Sequence, residues 1–361
     1  MSRLLYLDSL RGIAAILVVL FHLIDPFFLN YNFNLSESTI NNAKIVSRSI
    51  FNGSDWVSFF FVLSGFSLSL SLAKNPESIN LRAFYFKRFM RIYPLYVIIL
   101  FLTYLATYKG DSDLYVLSQT LLFNFRNELV PQSWSLSVEL IASLLLPYLF
   151  MVYRKNKSAF YYLIFISLFL YNGVNQSQSS ALGFTFNFLL GIFLSDLFLH
   201  EKFLNKKYFL LIFPFIIFSF SARWSIDWFP NIKYYVQVMT DFLNMDFHQL
   251  FYFISAFGSF LLIYFVISTK FIQHILSNIL LVFIGKISFS IYLIHFLIIQ
   301  VSYNEIVGFL KPIQNSLLES VLSIFTQLLI ILLAAAGSYY LIEKPLIDFS
   351  KKKANIWFAK Q

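Results

Sequence analysis

The sequence predicts an all-α integral membrane protein, a polytopic bundle of about ten transmembrane helices. Of its 361 residues, 58% are hydrophobic and only 12% are charged, which is about half the charged fraction of an ordinary soluble domain. The apolar residues fall in repeated runs of roughly 15 to 25, the length that crosses a bilayer as a helix. Composition and run length together exclude a soluble globular enzyme.

Ten apolar runs are candidates for transmembrane helices. The fifth and seventh runs are the shortest, and the longest polar segments lie in the connections after the first, third and seventh runs. No internal repeat or soluble domain interrupts the series. The ten predicted spans cover residues 12–30, 56–73, 89–108, 134–153, 159–172, 182–199, 208–221, 250–268, 279–301 and 317–342.

The distribution of lysine and arginine predicts that both termini are cytoplasmic. With the N-terminus inside, seven of the 27 basic residues fall in external loops and most of the others face the cytoplasm, as the positive-inside rule requires. This bias also explains the net charge of +9 without a nucleic-acid partner. We therefore expect a multi-pass protein of the cytoplasmic membrane, with one membrane domain (1–350) and a basic cytoplasmic tail (351–361).

The chain contains no cysteine, which excludes disulfides, a thiol nucleophile and cysteine-ligated metals. No metal site is predicted. The first apolar run is not followed by a small-residue cleavage site, so we expect it to be a retained helix rather than a signal peptide.

The first candidate site lies in the stretch LDSLRGIAAILVVLFH, residues 7–22. Arg11 and His22 are eleven residues apart, which places them on nearly the same helix face and about 16 Å apart along the axis. Asp25 follows on a neighbouring part of the same surface. Ionisable residues inside a bilayer are costly and often functional, although a histidine that hydrogen-bonds a neighbouring helix is an equally good interpretation of His22 alone.

The second candidate is RFMRIYPLY, where Arg88 and Arg91 can project from one side of a helix start and Pro94 disturbs the helix after them. The guanidinium groups of two arginines suit bidentate binding of phosphate. The alternative is that both residues are cytoplasmic anchors of the positive-inside type.

The third candidate is Glu139 in SWSLSVEL. A carboxylate in the outer half of the membrane needs a partner, and His22 is predicted at a similar depth. We therefore expect the Glu139 carboxylate beside the His22 imidazole. The alternative is a glutamate close enough to the interface to stay hydrated.

The fourth candidate is a polar stripe in GKISFSIYLIH. Ser288, Tyr292 and His295 follow the i, i+4, i+7 spacing of one helix face. Such a stripe either lines a substrate cavity or joins helices by hydrogen bonds, and the sequence does not separate these two interpretations.

Taken in order, these segments resemble the membrane acyltransferase-3 family, whose members include bacterial surface-sugar O-acyltransferases. Ser9 stands where the family usually has glycine, and Leu140 stands where a second acidic residue often follows Glu139. The resemblance is to the stand-alone type, without a fused hydrolase-like domain. The matching segments are LDSLRGIAAILVVLFH, SFFFVLSGF, RFMRIYPLY, SWSLSVEL with the later Pro147, GKISFSIYLIH and LIEKP.

The resemblance implies an acyl-coenzyme A donor, with acetyl as the first expectation, and an acceptor hydroxyl on a surface or lipid-linked glycan. Arg11, Arg88 and Arg91 would then bind the polyanionic donor. His22 would deprotonate the acceptor hydroxyl with Glu139 orienting its ring, or would carry the acyl group as a covalent intermediate.

Two further interpretations come from other protein classes. One is a transporter or flippase for a lipid-linked glycan, which would use the same polar stripes as a pathway. The other is a scaffold in a polysaccharide-assembly complex. Membrane lipids are expected partners in every case, and the sequence leaves the oligomeric state open.

Overall fold

The structure is a computed structural model that describes residues 4–30, 36–74, 79–107, 129–168, 183–202, 209–242, 247–311 and 316–358. Every regular element within these ranges is helical. The predicted all-α class is therefore confirmed.

Fourteen α-helices are described, and they are numbered here in chain order. The first seven are α1 (Leu5–Asn30), α2 (Glu37–Phe51), α3 (Gly53–Leu72), α4 (Leu81–Thr107), α5 (Trp134–Lys155), α6 (Lys157–Ser167) and α7 (Thr185–Leu199). The next seven are α8 (Phe209–Ser225), α9 (Pro230–Phe242), α10 (Phe247–Ser268), α11 (Lys270–Leu276), α12 (Ile279–Leu310), α13 (Ser316–Ser338) and α14 (Lys344–Trp357).

Three short helical segments complete the described elements. Pro131–Ser133 and Ile226–Trp228 are turns of 3-10 helix, and Tyr339–Glu343 is a π-helical turn between α13 and α14. Helix α14 runs through residue 350 to Trp357, and the division into a membrane domain and a basic tail at that residue stays a prediction.

Seven helical stretches in the described residues are long and apolar enough to cross a membrane. They correspond to the first four and the last three predicted spans. The other three predicted spans are also helical, as α6, α7 and α8, but each is shorter than 18 residues in the structure. Pro94, which was predicted to disturb the helix after Arg91, lies inside α4, and that helix continues through it to a length of 27 residues.

The chain divides into two compact units. Unit 1 contains Met1–Lys44, Asn80–Leu140 and Ile279–Gln361, and unit 2 contains Ile45–Ile79 and Ile141–Asn278. Each unit is assembled from segments that are distant in sequence, so its core depends on long-range helix contacts.

In unit 1, α12 is the central helix and packs against α1, α4 and α13. The closest approach between α1 and α12 is at two glycines. A Cβ on Gly12 would lie 2.6 Å from the Gly285 nitrogen, and a Cβ on Gly285 would lie 2.1 Å from the Asp8 carbonyl oxygen. Helix association in lipid depends on close backbone contact of this kind, because lipid and protein surfaces are equally apolar.

In unit 2, α3 packs against α7 through a second pair of glycines, and α10 packs against α3, α7 and α8. A Cβ on Gly65 would lie 2.5 Å from the Phe188 carbonyl oxygen, and a Cβ on Gly191 would lie 2.4 Å from the Val62 carbonyl oxygen. Both units therefore have a helix pair whose contact admits no side chain.

A buried ion pair connects three helices of unit 2. The Arg223 guanidinium of α8 lies 3.3 Å from the Asp55 carboxylate of α3, and their side chains are 7% and 0% exposed. The same guanidinium lies 4.2 Å from the centre of the Tyr252 ring on α10. The Asn52 amide donates hydrogen bonds both to the Asp55 carboxylate and to the carbonyl oxygen of Phe220. Arg223 lies two residues beyond the end of the predicted span 208–221, but α8 extends to Ser225 and buries it.

Candidate acyl-transfer site

The glycine contact between α1 and α12 brings two histidines together. His22 comes ten residues after Gly12, and His295 comes ten residues after Gly285. The two imidazole rings lie 5.4 Å apart, centre to centre, and are tilted by only 29°. Phe296 contacts both rings, at 4.6 Å from His22 and 4.7 Å from His295. On each helix the histidine follows the contacting glycine by the same number of residues, and the two histidines are also in contact. The helices α1 and α12 therefore run in the same direction.

His295 is wholly buried, with 0% of its surface exposed. Its Nδ1 lies 2.6 Å from the carbonyl oxygen of Tyr292, one turn earlier in α12. Its Nε2 is buried and has no hydrogen-bond partner among the described residues. The sequence predicted that His295 belongs to a polar stripe, but it did not predict contact with His22.

A polar network joins α12 to the start of α5. Ser135 Oγ lies 2.7 Å from the Tyr292 hydroxyl, which also donates to the carbonyl oxygen of Gln132 at 3.2 Å. The Gln132 side-chain nitrogen donates to the carbonyl oxygen of Leu293 at 2.7 Å. Tyr292 thus joins helices by hydrogen bonds, which is one of the two predicted interpretations of the stripe. The predicted cavity role of Ser288 remains a prediction, and its hydroxyl bonds within α12, to the carbonyl oxygen of Gly285.

Arg88 and Glu139 form an ion pair. The Arg88 Nη2 lies 2.5 Å from Glu139 Oε1, and their side chains are 10% and 25% exposed. Glu139 also lies close enough to Tyr292 for an electrostatic interaction. The expected contact between Glu139 and His22 stays a prediction.

The other two predicted donor-binding residues, Arg11 and Arg91, are half-buried. Arg11 Nη1 contacts the Asp8 carboxylate at 3.3 Å. Both arginines interact electrostatically with Glu343, which is buried in the π-helical turn and accepts a hydrogen bond from Ser290 at 2.8 Å. Glu343 belongs to the matching segment LIEKP, and no role was predicted for it. A carboxylate at the end of an apolar run was the signal that could have identified it.

Asp25 lies in α1, three residues after His22, but its side chain is outside the described residues. Within the described ranges, no three histidine, aspartate or glutamate side chains are grouped closely enough to hold a metal ion.

The chain matches a protein-family model described as an acyltransferase domain, over residues 4–343. The match covers both histidines, the Arg88–Glu139 pair and Glu343. The chain belongs to the membrane acyltransferase-3 family. Neither the curated proteins nor the solved structures contain a match to it. Family membership makes the protein an acyltransferase and gives the paired histidines a chemical context.

Proposed function

We propose that this acyltransferase is an O-acyltransferase of the cytoplasmic membrane. It moves an acyl group, most simply acetyl, from cytoplasmic acyl-coenzyme A to a hydroxyl of a surface or lipid-linked glycan. The observation that carries the proposal is the stacked pair His22 and His295 within an acyltransferase domain. Imidazole is the side chain best suited to proton transfer and acyl transfer near neutral pH.

The arginines of unit 1 supply the charge that a coenzyme A donor needs. Arg11 lies eleven residues before His22 on the same helix, which is about 16 Å along the axis. Arg11 and Arg91 are half-buried and interact with the same carboxylate, Glu343, so both belong to one region of unit 1. Guanidinium groups in such a region attract and orient phosphate. Arg88 belongs to the same helix as Arg91, but its charge is neutralised by Glu139.

The thioester of a donor held in this way would lie near His22. Two routes of transfer then fit the site. In the first, His22 deprotonates the acceptor hydroxyl, which attacks the thioester directly. In the second, His22 attacks the thioester and carries the acyl group until the hydroxyl takes it.

The test is transfer of radiolabel from [14C]acetyl-coenzyme A to glycan in membranes that contain the protein. We expect His22→Ala to abolish transfer while the amount of protein in the membrane is unchanged, because alanine removes the imidazole proposed to contact the reacting atoms and the neighbouring His295 is held by its own hydrogen bond to the Tyr292 carbonyl oxygen. If His22→Ala keeps most of the wild-type rate, His22 has no essential role in the mechanism. A wild-type protein that moves glycan across the membrane without acylating it would be a transporter.

A further inference from the structure

The hydrogen bond of His295 fixes the position of its proton. Nδ1 lies 2.6 Å from the carbonyl oxygen of Tyr292, and a carbonyl oxygen can only accept. Nδ1 must therefore carry hydrogen and donate it. In the neutral ring this leaves Nε2 with a lone pair and no hydrogen.

The surroundings of Nε2 favour that neutral ring. Nε2 is buried and has no hydrogen-bond partner among the described residues. A second proton would place a charged N–H in this environment without an acceptor, which is costly. It would also put a cation directly beside the His22 ring. His295 thus presents a buried ring nitrogen with a lone pair, which needs a hydrogen-bond donor.

A second buried acceptor belongs to Gln132, in the 3-10 turn Pro131–Ser133 that precedes α5. The Gln132 side-chain nitrogen donates to the Leu293 carbonyl oxygen, so the orientation of the amide is fixed by the same reasoning. Its oxygen, Oε1, is buried and has no hydrogen-bond partner among the described residues. Gln132 and His295 are held by the carbonyls of consecutive residues, Leu293 and Tyr292. A ligand that satisfies both must bring hydrogen-bond donors, and hydroxyl groups are the donors of a sugar.

We propose that His295 Nε2 and Gln132 Oε1 bind hydroxyl groups of the acceptor sugar, and that Nε2 takes the proton of the hydroxyl that attacks. This inference rests on the proposed function and selects its second route. His22 then attacks the donor thioester and carries the acyl group, while His295 binds and deprotonates the acceptor hydroxyl.

The two steps balance in atoms and charge. A ring nitrogen of His22 forms a bond to the acyl carbon, the carbon–sulfur bond breaks, and the thiolate of coenzyme A takes the remaining ring proton of His22. The acceptor oxygen then forms a bond to the acyl carbon as the carbon–nitrogen bond to His22 breaks. The hydroxyl proton passes to His295 Nε2 and from there to the departing His22 nitrogen, which leaves both rings neutral, and His22 regains its starting tautomer by proton exchange before the next cycle. No reactant other than the acyl thioester and the hydroxyl is needed.

The test compares His295→Asn with His295→Gln in membranes supplied with [14C]acetyl-coenzyme A. Asparagine keeps an N–H near the position of Nδ1, so the bond to the Tyr292 carbonyl can persist without any group in place of Nε2. Glutamine places an amide near Nε2 that can accept a hydrogen bond but cannot take a proton at neutral pH. Two quantities are measured, alkali-labile label on glycan and hydroxylamine-sensitive label on the protein.

We expect both His295 variants to lose glycan labelling by about a hundredfold or more, the contribution of a general base, while label accumulates on the protein. His22→Ala should show neither label. The matched control is His274→Asn, because His274 is an exposed histidine of α11 in unit 2, and it should behave as wild type.

Three results would overturn the inference. If His295→Asn labels glycan as fast as wild type, the role of His295 is structural. If glutamine restores transfer, Nε2 positions the hydroxyl but takes no proton. If the variants lose both labels, His295 does not act on the acceptor step alone. Failure of the wild-type protein itself to label glycan is a different result, which removes the proposed function and this inference with it.

Discussion

The side chain of Arg88 is largely inside unit 1, where its guanidinium donates to the Glu139 carboxylate. A buried cation is tolerated only with an anion nearby, and the pair satisfies that requirement without any ligand. Arg88 was expected to bind phosphate, and it could do so only by sharing or giving up Glu139. Arg91 and Arg11 are more accessible, and we infer that they make the larger contribution to donor binding.

The ion pair can be tested by a double-mutant cycle. We expect Arg88→Met and Glu139→Gln each to lower the free energy of unfolding by about 1–3 kcal/mol, because each leaves a partner group unsatisfied. The double variant should recover part of the loss, with a coupling energy of about 0.5–3 kcal/mol. Reversible denaturation in detergent micelles measures the free energy of unfolding of the two single variants and of the double variant.

The control for this cycle is the exposed pair Asp227 and Lys233, whose charged atoms lie 2.6 Å apart. Since both side chains are solvated, its coupling should not exceed about 1 kcal/mol. Additive losses at Arg88 and Glu139 would show that the two side chains do not interact in the membrane-embedded protein.

At the scale of helices, the pairing of α1 with α12 positions the candidate site. The sequence predicted both helices and both histidines, since apolar run length and isolated polar residues are local signals. It did not predict that these two helices meet, because the polar stripe of α12 indicates a contact without identifying the partner helix, and the apolar faces of membrane helices do not distinguish a protein contact from a lipid contact. Gly12 and Gly285 are two of eleven glycines, and nothing in their local sequence sets them apart.

The glycine contact predicts that the effect of a glycine-to-alanine substitution in α12 depends strongly on its position. Gly285→Ala would place a methyl group 2.1 Å from the Asp8 carbonyl oxygen, so the two helices must separate. We expect a loss of about 1–3 kcal/mol, as for other overpacked sites, together with reduced acyl transfer as the histidines move apart. Thermal unfolding in detergent and the labelling assay measure the two effects.

Gly308 provides the matched control on the same helix, because among the described residues, apart from its own turn of helix, no heavy atom lies within 4 Å of a Cβ added there. Gly308→Ala should be neutral or stabilising by up to about 1 kcal/mol, from helix propensity alone. Equal behaviour of the two alanine variants would mean that α1 and α12 are not in close contact.

At the scale of the whole chain, the direction of α1 and α12 determines the relation between the termini. The two helices are parallel, and α13 follows α12 after a short connection and packs against it. A short connection between packed helices makes them antiparallel. If α1, α12 and α13 each cross the membrane, the N-terminus and the end of α13 lie on the same side. The lysine and arginine bias predicts that this side is the cytoplasm.

Because the wild-type chain has no cysteine, single-cysteine variants can test this topology without further changes. We expect Ser36→Cys and Lys311→Cys to react with a membrane-impermeant maleimide in intact cells, since these positions follow α1 and α12. Ser2→Cys and Lys351→Cys should react only after permeabilisation. Labelling of Ser36→Cys and Lys311→Cys from opposite sides would refute the parallel arrangement.

The contact between α1 and α12 also has a consequence for biosynthesis. Gly12 and Gly285 are separated by roughly 270 residues, which a ribosome adds in about 14 to 55 seconds at ordinary rates. Throughout that interval α1 is already made, whereas the helix that will cover it has not been synthesised. Lipid or a membrane-insertion factor must therefore shield the face of α1 that bears His22 until Ile279 and the helix that follows it emerge. The candidate site is thus completed only near the end of translation, so we expect the partly made protein to be inactive while it is being inserted.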